Sequence, residues 1–292
     1  RPRRGSDHCD QRHPGARVTL PVLAIVLTAA LLHALWNALV KASGDRAVTL
    51  GLVALGHCLP ALFLLPFVPV PSTEAFPYII ASTVIHWGYY YYLNTSYRFG
   101  DLSLIYPIAR GCAPVMVALG AMFWADERLS LIAWIGILTV SGGIMILATV
   151  RHADKRGIIA ALVTSAFIAA YSIVDGIGIR ASGTPIGYVV WLFAAEICVA
   201  GYVLSTRFDR AKAMAARKCL IGLAGGVISG LAYGLALFAK TMAPIGMVSA
   251  VRETSVIFAA LIGVIWMGEG PPKRRLIAAG VVAIGVMILA TS

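Results

Sequence analysis

Two arginines, Arg110 and Arg252, stand 142 residues apart inside stretches that are otherwise apolar. A guanidinium is planar, always charged and forked to match a carboxylate or phosphate, so its chemistry is anion recognition. Within a bilayer it costs roughly 3 kcal/mol on insertion scales and persists only where it is paired or meets water. The same offset lays Trp124 on Trp266, Glu127 on Glu269, Gly143 on Gly285 and Met145–Thr149 on Met287–Thr291. The arginines are therefore copies of one position in a duplicated chain. Other polar residues fall at helical spacing, three and four apart, which stacks them on one face. His33, Asn37 and Lys41 form one such row with Trp36 beside it, and His86, Tyr90, Asn94 and Tyr97 form another. A second offset of 135 pairs Trp36 with Tyr171. The expected substrate-binding set is Trp36, Asn37, His86, Tyr90, Asn94, Arg110, Tyr171, Tyr233 and Arg252. Glu196 lies near the middle of an apolar run, where a lone carboxylate can trade its charge for a proton; with Asp175 it makes the expected proton-coupling pair.

The elements that must position these residues are membrane helices. The chain is 59% hydrophobic and 13% charged, with a mean hydropathy of +0.84, whereas roughly a quarter of a soluble domain is charged. Apolar runs of about 20 residues, the length that crosses the hydrocarbon, recur over 18–41, 47–70, 77–99, 102–124, 130–150, 157–180, 185–205, 219–241, 245–267 and 274–291. The expectation is an all-α protein of ten spans. Five spans per repeat oblige the second half to enter the membrane inverted relative to the first. We assign residues 1–17 to a disordered basic tail, 18–150 to the first repeat and 157–292 to the second. Pro107 and Pro114 each remove a hydrogen bond from the fourth span and predict a kink near Arg110. Gly222, Gly226, Gly230 and Gly234 form a side-chain-free stripe that predicts close helix packing, as do Gly142, Gly143, Gly280 and Gly285.

The five cysteines form no CxxC pair and read as free thiols. No cofactor is expected, and no metal site, since His8, Cys9 and His13 lie in a tail without fixed geometry. The net charge of +11 is spread over tail and loops, which suits lipid headgroups rather than nucleic acid. Most of the loop cations fall opposite the termini, so loop charge alone favours termini outside. Glu127 and Glu269 read as helix-start residues stabilised by the dipole of the span that follows each.

The stretches LLHALWNALVKASGDR (31–46), YPIARGCAPVMVALGAMFWADERLSLIAWIGILTVSGGIMILA (106–148) and MVSAVRETSVIFAALIGVIWMGEGPPKRRLIAAGVVAIGVMILA (247–290) resemble the drug/metabolite transporter superfamily, in its EamA-like branch. The resemblance implies a ten-helix bundle of two inverted five-helix repeats that moves small metabolites without ATP. It also implies that Glu127 and Glu269 are the acidic residues closing the fourth helix of each repeat and that Pro114 is its mid-helix proline; Val256 departs from that pattern. No phosphate-binding loop argues for an ATP-driven pump. The expected function is a secondary transporter for a small, polar, anionic metabolite, working by alternating access in a bacterial inner membrane, with substrate and lipid as its partners and no nucleic acid. A flippase for a lipid-linked sugar is the nearest alternative. An intramembrane enzyme using His33, His57 or His86 is a remoter one, because no HExxH or GxSxG organises those residues.

Overall fold

The computed structural model describes residues 18–41, 45–99, 102–148, 155–265 and 272–292. The tail assigned to 1–17 lies outside them. Every regular element among the described residues is helical: α1 (Leu20–Lys41), α2 (Arg46–Leu64), α3 (Phe76–Phe99), α4 (Leu102–Trp124), α5 (Leu131–Met145), α6 (Lys155–Ala181), α7 (Pro185–Ala195), α8 (Ile197–Thr206), α9 (Phe208–Lys212), α10 (Ala216–Ala239), α11 (Ile245–Arg252), α12 (Ser255–Ile265) and α13 (Pro272–Thr291). Two single 3₁₀ turns, Leu65–Phe67 and Thr73–Ala75, join α2 to α3.

Among the described residues, eight stretches are long and apolar enough to cross a membrane: α1, α2, α4, α6, α7 with α8, α10, α11 with α12, and α13. The other two expected spans are helices of a different kind. The 24-residue α3 is diluted by His86 and its tyrosines, and α5 is apolar but only 15 residues long. The bundle is apolar outside and charged inside. Phe63, Phe123, Trp124, Leu131 and Leu276 stand exposed while Arg110, Asp175, Glu196, Lys240, Arg252 and Glu253 are buried, an arrangement that water would penalise and lipid accepts.

Loop contacts define two ends. At one, Ser72 bonds the carbonyls of Ala181 and Ser182, and Glu127 meets Arg180 and the start of α11. At the other, Asp45 approaches Arg210, and Arg274 reaches the carbonyls of Ile146 and Ala148. Between the ends, α1 packs on α10 and α12, α6 packs on α3 and α4, α2 meets α7, α8 and α10, and α5 lies along α13.

The glycine stripe of α10 behaves as its spacing predicts. A side chain on Gly226 would collide with the Val53 carbonyl and Gly56 of α2, while Gly222, Gly230 and Gly234 abut Leu52, His57 and Val189. Gly143 and Gly285 likewise bring α5 and α13 together. Gly142 and Gly280 do not, for nothing faces either within 4 Å. At Gly183 a φ of +66° makes the tight turn from α6 into α7, whose first turn is capped by Thr184 and led by Pro185.

The fourth span stays helical through Pro107 and Pro114. Its counterpart is the one that breaks. α11 ends at Glu253–Thr254, where the N–H groups of Glu253, Thr254, Val256 and Ile257 bond three residues back, a local 3₁₀ tightening. The seventh span is interrupted in the same manner at Glu196, between α7 and α8. Prolines mark where a helix bond is missing; they do not say whether packing will bridge the gap.

Candidate functional site

The buried charges gather where α4, α6, α10 and α11 meet. Arg110 of α4 points its Nε at Oε2 of Glu253, 2.9 Å away, with both side chains almost fully enclosed. Glu253 thus pairs with a residue far off in the chain and not with its neighbour Arg252. Among the described residues no carboxylate lies within ion-pair distance of Arg252. Its guanidinium instead stands over the Tyr233 ring at 5.7 Å, a cation–π contact.

From Tyr233 the site extends along a hydrogen-bonded row. Tyr233 and Tyr188 both donate their hydroxyls to Asp175, one to each carboxylate oxygen. Asp175 is fully buried, and both of its carboxyl oxygens are used as acceptors. The aromatic wall is built from Tyr171, which stacks on His86 at 4.3 Å and meets Tyr89 and Tyr233 edge-on. His86 donates Nδ1–H to the Ser82 carbonyl of its own helix, so in the neutral ring Nε2 is left as an acceptor.

On α1, Trp36 donates to His33 and crosses it edge-on, and the Asn37 amide folds back to the His33 carbonyl. Both expected residues thus brace His33, and it is His33 that lies within electrostatic reach of Arg110 and Arg252. The structure therefore brings together His86, Tyr171, Tyr233, Asp175, Arg252 and Arg110. Trp36 and Asn37 sit one step removed. The side chains of Tyr90 and Asn94 lie outside the described residues.

Glu196 is not the lone carboxylate its setting suggested. Its Oε2 is 2.6 Å from Nδ1 of His57 on α2, and the His57 ring packs on Phe193, which in turn touches Tyr233. Glu127 departs from expectation too. Instead of starting its own next helix it accepts from the N–H groups of Ile245 and Gly246, capping α11 in the other half, and pairs with Arg180. The dipole that stabilises it is real but belongs to a distant helix. A left-handed turn at Asp126, φ 49°, precedes it. Its copy, Glu269, lies outside the described residues. Arg180 also donates to the Lys240 and Ala243 carbonyls, and Lys240, buried, donates to the Ser172 carbonyl, so this end of the bundle is fastened by cations.

Donors remain unspent in the middle. Arg110 Nη2 and Arg252 Nε are buried without a hydrogen-bond partner, as are the hydroxyls of Thr254 and Ser255 at the α11–α12 break. The interior thus holds charged groups and an aromatic wall behind a lipid-facing exterior. Residues 155–291 match the EamA-like transporter family. That family is part of the drug/metabolite transporter superfamily, and with eight membrane-length helices among the described residues the chain is an integral, multi-pass membrane protein. A solved crystal structure superposes on 92% of this chain and 96% of its own with a TM-score of 0.74 at 15% identity, a likeness of fold. No curated protein matches.

Proposed function

We propose that the chain is a ten-helix secondary transporter of two inverted five-helix repeats, 18–150 and 157–292, which carries a small anionic metabolite by alternating access across a bacterial inner membrane. The observation that carries the anionic class is the pair of buried arginines with unspent donors, Arg110 Nη2 and Arg252 Nε, facing a wall of aromatic rings. Each guanidinium has capacity for an oxyanion that the protein itself does not fill. The inverted repeat is supported by exchange symmetry in the packing. α1 lies on α10 as α6 lies on α3, α1 meets α12 as α6 meets α4, and α5 pairs with its own copy, α13. Two halves related in this way can swap conformations and open one path to either side.

Within this reading the substrate contacts are Arg110, Arg252, Tyr171, Tyr233 and His86, with Trp36 and Asn37 acting through His33, and Tyr90 and Asn94 retained from the polar face of α3. Proton movement belongs to buried carboxylates: Glu196, which has His57 to share a proton with, and Asp175, which orders the tyrosines.

A thermal-shift panel of carboxylates, phosphates, sulfonates, amines and neutral sugars on the purified protein tests the solute class, since a bound ligand raises the apparent melting temperature by mass action. Anions are expected to stabilise it and to exchange in proteoliposomes. Arg110→Lys and Arg252→Lys keep the charge but lose the fork, and each should weaken the anion by about tenfold, or about 1.4 kcal/mol. Stabilisation by cations or neutral solutes alone would sink the anionic reading.

A further inference from the structure

The Arg110–Glu253 contact is short but badly spent. Arg110 Nε and Nη2 and Glu253 Oε2 are all buried, yet none of them makes an aligned hydrogen bond, although Nε and Oε2 are 2.9 Å apart. A permanent buried pair holds when further hydrogen bonds satisfy the remaining donors and lone pairs. Here they do not. Glu253 also sits on the broken turn between α11 and α12, where the hydrogen bonds run three residues back rather than four. Arg110 and Tyr106 of α4 face it, and around the two arginines stand His33 of α1, Tyr89 of α3, Tyr171 and Asp175 of α6, Tyr233 of α10, and, beyond the end of α10, Lys240, with His86 of α3 stacked on Tyr171.

Resting on the anionic reading, we propose that Glu253 occupies the solute's place on Arg110 while the transporter is empty, and that the arriving anion displaces it and obliges it to take up a proton. The exchange balances. The pair Arg110⁺·Glu253⁻ with one solute anion and one proton becomes Arg110⁺·solute⁻ and a neutral Glu253 carboxylic acid; the proton bonds to a carboxylate oxygen and comes from water on the open side. Displacement without the proton would leave a carboxylate buried and uncompensated, which is strongly penalised. Anion and proton therefore enter together, in electroneutral fashion. Protonation favours binding, so affinity is high at low pH, and the apparent Kd rises about tenfold per pH unit wherever the empty-state Glu253 is ionised.

Methanesulfonate is the probe, because this strong-acid anion titrates no proton of its own across the range in which histidines and buried carboxylates change charge. Calorimetric titration of the full-length protein in weakly buffered detergent reads Kd and proton uptake together. Wild type should take up about one proton per anion, with the tenfold slope per pH unit. Glu253→Gln should bind with a flat pH profile and, at the alkaline end, about tenfold or more tightly than wild type. The double variant Arg110→Gln/Glu253→Gln removes both charges, so it should melt as a folded protein while binding at least about tenfold more weakly. Methanesulfonate binding to wild type without proton uptake, or a slope that survives in Glu253→Gln, overturns the exchange and leaves the anion site standing. Folded wild type that binds no methanesulfonate at any pH overturns the anionic reading and this inference with it.

Discussion

Arg252 and Glu253 are adjacent in the chain yet serve different partners, because neighbours one residue apart on a helix point about 100° apart. Glu253 turns to Arg110 across the two halves, and Arg252 turns to the Tyr233 ring. An Arg-Glu dipeptide inside an apolar span thus carries a readable signal: two charges that face away from each other each need a partner elsewhere. The energetic consequence can be measured. Arg110→Met leaves Glu253 buried and alone and should cost about 3–5 kcal/mol, whereas Arg110→Met/Glu253→Leu should recover most of that loss. Reversible unfolding in mixed micelles with increasing SDS reads both values. Equal destabilisation by the single and double variants would mean that the two charges are not coupled. His57 and Glu196 follow the same logic on α2 and the α7–α8 break. Sequence spacing marked Glu196 as a mid-membrane carboxylate but gave no means of choosing among His33, His57 and His86 as its partner.

Both interrupted spans, α7–α8 and α11–α12, belong to the second half, and each carries a glutamate at its break that reaches a cation or imidazole of the first half. A 3₁₀ step turns the following residues relative to an ideal helix and changes which face they present. The breaks are thus places where each span can bend while its ends stay fastened. Elements that stay rigid are written in glycine. Gly226 lets α2 and α10 approach backbone to backbone, so Gly226→Ala should lower the apparent melting temperature, with an overpacking cost of about 1–3 kcal/mol. Gly280 faces open space on α13, and Gly280→Ala should be neutral or raise the melting temperature, by up to about 1 kcal/mol from helix propensity. Melting both variants in the same detergent makes the comparison. Should Gly280→Ala prove the more damaging, the assignment of tight and open faces is wrong.

For the whole molecule, the loop contacts put residues 65–75, 125–130, 181–184 and 240–245 at one end and residues near 45, 146–148, 207–215 and 272–275 at the other. The second end carries Arg207, Arg210, Lys212, Lys273, Arg274 and Arg275, and the positive-inside rule predicts that it faces the cytoplasm. Thr73 and Lys212 are exposed, one at each end. In a background without native cysteines, Thr73→Cys should label with an impermeant reagent from outside the cell, and Lys212→Cys only after the membrane is opened. Labelling of both from one side would end the inverted arrangement, and reversal of the two would leave it intact but upside down.

The sequence by itself determined that the chain is helical and belongs in lipid, because apolar runs of membrane length leave the backbone no other way to satisfy its hydrogen bonds. It also set Arg110 and Arg252 at one shared offset, and it determined that the α10 glycines form a contact face, because helical spacing alone fixes which positions align. Tertiary structure decided what long-range partners decide. It gave Glu253 to Arg110, His57 to Glu196 and Glu127 to the start of α11, and it moved the helix break from the prolines of α4 to Glu253–Thr254. A buried charge must be paired, but the chain names its type and not its partner; the partner is fixed only when helices far apart in sequence are packed side by side.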